Sequence, residues 1–244
     1  MRPLTASELL QVWEEGQSRN PYEQALLLLE AACPEQSRKE LAMLSIGSRD
    51  ARLLTLRELT FGERMASVAS CPACGMRLEF SINVADVRIP ASDTRGEGIF
   101  LEQDDYLINF RLPCSLDLQN AGVSRDRESM TKVLMQQCIC KARHQDEEIS
   151  TDRLPLRIVE AVVAKMAECD PQADTHLSLS CPGCNHRWQA FFDIVSFLWS
   201  EIHSWATRIL REVHLLASAY GWREADILAI SPLRRHIYLE MAGQ

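Results

Sequence analysis

The chain has 244 residues, 46% hydrophobic and 25% charged, the balance of a soluble globular protein long enough to bury a core of its own. Its 34 Asp and Glu outnumber 26 Lys and Arg, for a net charge of -8, which argues against sequence-blind binding of a polyanion, because that needs cations to neutralise phosphates. Apolar stretches such as Ala25 to Leu29 are too short to cross a bilayer, and the polar start Met1 to Glu8 does not read as a signal peptide, so a cytoplasmic protein without membrane insertion is expected.

Thr5 and Glu8 make a capping-box pattern ahead of Leu9, Leu10 and Trp13, which predicts a first helix. Asn20 as N-cap and Pro21 in the first turn open a second, whose run Ala25 to Leu29 is apolar nearly all round and implies burial. Ser48 is expected to start a third, carrying Leu53, Leu54, Leu56 and Leu59 and ending near Phe61-Gly62. Residues 1–62 thus read as an N-terminal helical region.

The period then changes. Met65 to Ser70 leads into Cys71-Pro72-Ala73-Cys74-Gly75, and Arg77 to Val84 leaves it with strict polar–apolar alternation, the mark of a strand with one wet face. Pro90 to Gly98 reads as a loop, and Tyr106 to Leu112 as a strand stopped by Pro113. These make 63–113 the first half of a ribbon with its following strands. Residues 114–174 read as a helical insert: a short helix from Leu116 to Ala121, a longer one from Asp126 to about Cys140, and a third from Leu154 to Cys169, with Gln145 to Asp152 as the connecting loop. The second half, 175–195, enters Cys181-Pro182-Gly183-Cys184-Asn185 through Leu177 to Ser180 and leaves through Arg187 to Ile194.

From 196 to 244 the chain reads as helical again. Leu198, Ile202, Trp205, Ile209, Val213, Leu216 and Tyr220 recur at steps of three and four, and Gly221 suits a left-handed cap. Trp222 to Ile230 and Ser231-Pro232 to Met241 make two shorter helices. Arg234, Arg235 and His236 are expected on a solvated face. The whole is an α+β chain, helical at both ends around a small antiparallel zinc-ribbon element with a helical insert.

Cys71, Cys74, Cys181 and Cys184 are the expected metal ligands. Each pair puts two thiols on one tight turn, and four soft ligands complete a closed tetrahedral site, which points to structural zinc; four thiolates also suit iron. Nine cysteines, an odd number, fit reduced thiols plus a metal better than a disulfide framework. A thiol oxidoreductase would open a helix at its Cys-x-x-Cys, whereas strand alternation follows here. His186 is expected to face solvent. Cys138-x-Cys140 with His144 carries the elements of a second site, but on a helix positions two apart diverge. Cys33, Cys114, Cys138 and Cys169 read as packing. Neither a nucleophile motif nor a phosphate loop occurs, and the acidic pairs Glu14-Glu15 and Asp104-Asp105, like the run Asp146-Glu147-Glu148, read as solvated surface. No catalytic residues are assigned. His203 and His214 are expected at the surface or an interface. Phe191, Phe192, Phe197, Trp199 and Trp205 either dock a partner or pack ribbon against long helix, and Trp222 anchors a partner or plugs a helix joint.

The segment His214 to Ser231 resembles the helical signature of tailed-phage baseplate hub and hub-assembly proteins. With the first knuckle and Leu78 to Val84, and the second running into Phe192-Asp193-Ile194 and Phe197 to Ile202, the chain resembles the baseplate-type proteins of phage-tail-like contractile injection systems. The resemblance implies a non-enzymatic structural or assembly role, with baseplate, tube or sheath components as partners and incorporation into a phage-tail-like particle. A zinc-ribbon nucleic-acid-binding protein of transcription or replication is the alternative that the same cysteines leave open.

Overall fold

Side-chain caps mark where the N-terminal helices begin. In the computed structural model, which describes residues 1–89, 98–121, 127–145 and 147–243, α1 (Ala6–Gly16) is opened by Thr5, whose hydroxyl accepts from the Glu8 N–H while the Glu8 carboxylate accepts from Thr5. Asn20 caps α2 (Pro21–Ala32), its side-chain oxygen accepting from the Glu23 N–H. A five-residue helix, α3 (Arg38–Ala42), follows under its own Ser37–Glu40 box, a signal the sequence reading passed over. The next helix, α4 (Ile46–Phe61), is capped by Ser45 rather than Ser48: the Ser45 hydroxyl accepts from the Ser48 N–H, so Ser48 is already inside the first turn.

Two antiparallel hairpins project from this helical core. The first pairs β1 (Arg64–Ser70) with β2 (Arg77–Asn83), followed by the single turn α5 (Val84–Val87). Between the hairpins lies a module with its own core. There β3 (Ile99–Gln103) and β4 (Tyr106–Phe110) meet at a tight turn whose Asp104 and Asp105 take positive φ of 51° and 63°. The helices α6 (Ser115–Ala121) and α7 (Arg127–Cys138) come next, then β5 (Ile139–His144) and β6 (Glu147–Glu148), giving sheet order β3-β4-β5-β6. One face of that sheet packs Ile108, Phe110 and Ala142 under Ile158, Val162 and Met166 of α8 (Leu156–Cys169). The helix expected through about Cys140 ends at Cys138, because Ile139 onward pairs with the free edge of β4. The loop expected over Pro90 to Gly98 lies outside the described residues except for Gly98, and so do Asp126 and Asp146.

The second hairpin, β7 (His176–Ser180) with β8 (Arg187–Phe191), leads straight into α9 (Ile194–Tyr220), capped by the Asp193 carboxylate. The apolar stripe of α9 is buried as expected at Leu198, Ile202, Ile209, Val213 and Leu216, with Ala206 rather than Trp205 at its centre. Gly221 ends the helix at φ 67°. Trp222 then wedges between Tyr220 and Tyr238, with ring centroids 4.8 and 4.9 Å away, joining α9 to α10 (Glu224–Ala229) and α11 (Pro232–Ala242). Arg235 is not on a solvated face: it is 6% exposed and its Nε meets Glu212 of α9 at 2.6 Å.

One main core runs through these elements. It takes Leu26, Leu28 and Leu29 of α2, Leu53, Leu54 and Leu56 of α4, Met65 at the root of the first hairpin, Val84 and Val87 just after it, and Ile194, Val195, Leu198 and Ile202 just after the second. Both hairpins are therefore rooted in one packed cluster. Among the described residues no helix is long and apolar enough to cross a membrane.

Candidate metal centre

Each hairpin ends in the same turn. The Cys71 N–H donates to the Met76 carbonyl and the Gly75 N–H to the Cys71 carbonyl, both at 2.9 Å; in the second hairpin Cys181 to His186 and Asn185 to Cys181 repeat the pair at 2.9 Å. Gly75 (φ 73°) and Asn185 (φ 56°) occupy the left-handed position this turn demands, one free of a Cβ penalty and the other a residue type that tolerates it. The turn brings both sulfurs of a pair to one side.

The two turns face each other, and the four sulfurs lie within 4.8 Å of one another. Cys71 Sγ is 3.6 Å from Cys184 Sγ, and Cys74 Sγ is 3.6 Å from Cys181 Sγ. A zinc tetrathiolate with Zn–S bonds of about 2.3 Å has tetrahedral edges of about 3.8 Å, so the arrangement fits a tetrahedral ion. Cys71 and Cys181 point inward and are buried, whereas Cys74 and Cys184 are exposed. Met76 closes one side, its sulfur 3.9 Å from Cys181 Sγ, and a Cβ on Gly183 would stand 3.0 Å from Met76 Sδ. A side chain at Gly183 in the second turn would thus press on Met76 of the first hairpin.

The thiols do not titrate alike. Burial works against ionising Cys181, but the Cys184 and Gly183 N–H groups and the Cys74 thiol outweigh it and draw Cys181 down to about 7. For Cys184 the His186 N–H favours the thiolate, yet the Cys74 sulfur, burial and Cys71 override it and push Cys184 up to about 12. Four thiols this close share charge poorly without a cation: the first thiolate forms readily and raises the cost of the rest.

Arg57 holds the roots of this assembly, and nothing in its sequence context singled it out. It is 2% exposed; its Nε and Nη2 grip the Glu201 carboxylate at 2.8 and 2.7 Å, its Nη1 donates to the Gly62 carbonyl at 2.7 Å, and its Nη2 also reaches the Arg64 carbonyl at 2.8 Å. One guanidinium therefore ties α4, the entry to the first hairpin and α9. A second tie is Gln172, which accepts from the Ile89 N–H and donates to the Val87 carbonyl, linking the chain after the first hairpin to the turn before the second.

The other sequence candidates go elsewhere. His186 is exposed and stacks toward Trp188. Cys138 is fully buried, and burial pushes its thiol up to about 12; Cys140 on β5 is exposed, and His144 stacks on Tyr106, so these three do not form a site. Cys33 and Cys114 are buried in packing and Cys169 is half-buried. Glu14, Glu15, Asp104 and Asp105 are exposed. His203 accepts from the Trp13 indole at 3.1 Å, and His214 is exposed. Phe192, Phe197, Trp199 and Trp205 pack against the main core, while Phe191 is 61% exposed.

A family model described as T4 bacteriophage base plate protein matches residues 2–199. The chain belongs to this base plate family. The match takes in both hairpins, all four clustered cysteines, Arg57 and the first turns of α9. The segment His214 to Ser231, on which the sequence likeness leaned most, lies beyond it. No curated protein matches the chain. No solved structure does either.

Proposed function

We propose that this base plate family member is a non-enzymatic structural component or assembly factor of a contractile, phage-tail-like baseplate, and that a structural zinc ion bound by Cys71, Cys74, Cys181 and Cys184 staples its two hairpins together. The observation that carries the proposal is the convergence of four sulfurs within 4.8 Å, from two turns over a hundred residues apart in sequence, inside the span that the base plate family shares. Four protein ligands leave no position for water or substrate, so the ion would fix architecture rather than react. When bound, the cation offsets the charge of the converging thiolates; the chain's own part is to present them on two preformed turns. Its partners would be baseplate, tube or sheath proteins.

The test is to produce the baseplate, tube and sheath proteins of a particle that carries this chain, with and without it, and to count assembled particles by electron microscopy. Particles should be lost or malformed when the chain is left out. Normal assembly in its absence would contradict the proposed role.

A further inference from the structure

A groove of about 690 Å³ runs between the hairpins, floored by Phe61, Phe197 and Trp205. Its first wall is Ala66, Ser67, Val68 and Ala69 in unbroken succession. A strand that presented only its face would contribute alternate residues, so the edge of β1 borders the groove. The hairpin face enters through Phe80, the cross-strand partner of Ser67, opposite Leu177 and Leu179 of β7. Opposite stand Ala190, Phe191 and Phe192 of the second hairpin.

The hydrogen-bond register says what that edge offers. Cys71 and Met76 form a bonded pair, as do Glu63 and Val84, so the odd-numbered residues of β1 turn their backbone groups to β2. Ala66 and Val68 turn theirs away, along the unpaired side. Exposed edges are usually guarded by lysine, proline or a bulge. From Met65 to Ser70 this one carries no charge, no proline and no break in register, and Val68 is 54% exposed. Of the ionic side chains described on the groove, Glu201 is held by Arg57, whereas Arg208, whose side chain is 70% exposed, shares the Glu212 carboxylate with Arg235, its Nε at 3.8 Å and that of Arg235 at 2.6 Å. One carboxylate between two guanidiniums leaves this end of the groove positive in a chain of net charge -8.

We propose that β1 receives an extended segment of a partner protein as an added strand, with alternate apolar side chains on the aromatic floor and an acidic residue at Arg208. Main-chain pairing with Ala66 and Val68 supplies the attachment, and the floor and Arg208 set the preference for sequence. This surface is separate from the cysteine cluster.

The probe is a display library of short peptides selected against the full-length protein at low salt, with the best binders then synthesised. The expected binders alternate apolar and polar residues and carry a carboxylate, and on binding they slow amide exchange at Ala66 and Val68. Val68→Pro removes one outward N–H without breaking the β1–β2 ladder, and should weaken binding by about tenfold while leaving metal content unchanged. Arg208→Glu, on an exposed helix position, should weaken the acidic peptides independently of any fault in folding of the proline variant. Failure to select peptides, binders indifferent to both substitutions, or a protein that by itself pairs β1 with a second copy in sedimentation, would overturn the proposal.

Discussion

Arg57 makes four hydrogen bonds with its guanidinium fork, two to the Glu201 carboxylate and one each to the Gly62 and Arg64 carbonyls. A planar five-donor group meets such a set; an ammonium cannot. Removing it leaves the Glu201 carboxylate, itself partly buried, and the carbonyl at the hairpin root without their donor. Arg57→Ala should therefore cost about 3–5 kcal/mol of unfolding free energy, read by denaturant titration, and Arg57→Lys should recover only part of it. A near-neutral alanine variant would show that the fork is incidental. The sequence shows why this residue stayed hidden: Arg57 sits in Thr-Leu-Arg-Glu-Leu, where one more charge on a helix reads as solvated, and its partners lie 5, 7 and 144 positions away. Arg235 misled in the same way, since Glu212 meets it only after the chain has reversed at Gly221.

At the scale of elements, local chemistry was legible and strand pairing across the fold was not. The caps at Thr5, Asn20 and Ser231 and the left-handed Gly221 are written within four residues of where they act, and the structure shows them all. The α+β class is likewise as read. The strands β3 and β5 were missed because their pairing with β4 decides them; the Asp104-Asp105 turn that joins β3 to β4 was visible only as an acidic pair. The centre of the α9 stripe falls at Ala206, which packs with Leu10 of α1, while Trp205 lies at the border of that cluster. Close approach of these helices also sets Gly16: a Cβ there would overlap the Trp199 ring. Glycine-to-alanine inside a helix usually stabilises, by roughly 1 kcal/mol. Here Gly16→Ala should instead destabilise by about 1–3 kcal/mol as Trp199 is displaced. Thermal melts decide the sign, and a stabilised variant would mean that α1 and α9 are looser than this packing implies.

Over the whole molecule, the two hairpins are separate two-stranded sheets, and such ribbons are marginal on their own. Their roots share one apolar cluster, their tips bring four thiols together, and between root and tip each carries only a half-wet face. That construction explains why the cysteine pairs were the most readable part of the site: the spacing of each pair is a local matter, and four soft ligands in two pairs have few structural uses. What the spacing could not convey was the mutual approach of the turns, which depends on the β3–β6 module and on ties that return the chain to the helical core and the first hairpin. In these the Asp170 carboxylate accepts from the Gly47 N–H of α4 and Gln172 from the Ile89 N–H. The proposed ion is the remaining link. X-ray absorption at the zinc edge, on protein purified under reducing conditions without added metal, measures that link directly. A single shell of four sulfurs at about 2.3 Å is the expected result; metal-free protein, or a shell with nitrogen or oxygen in place of sulfur, would contradict it.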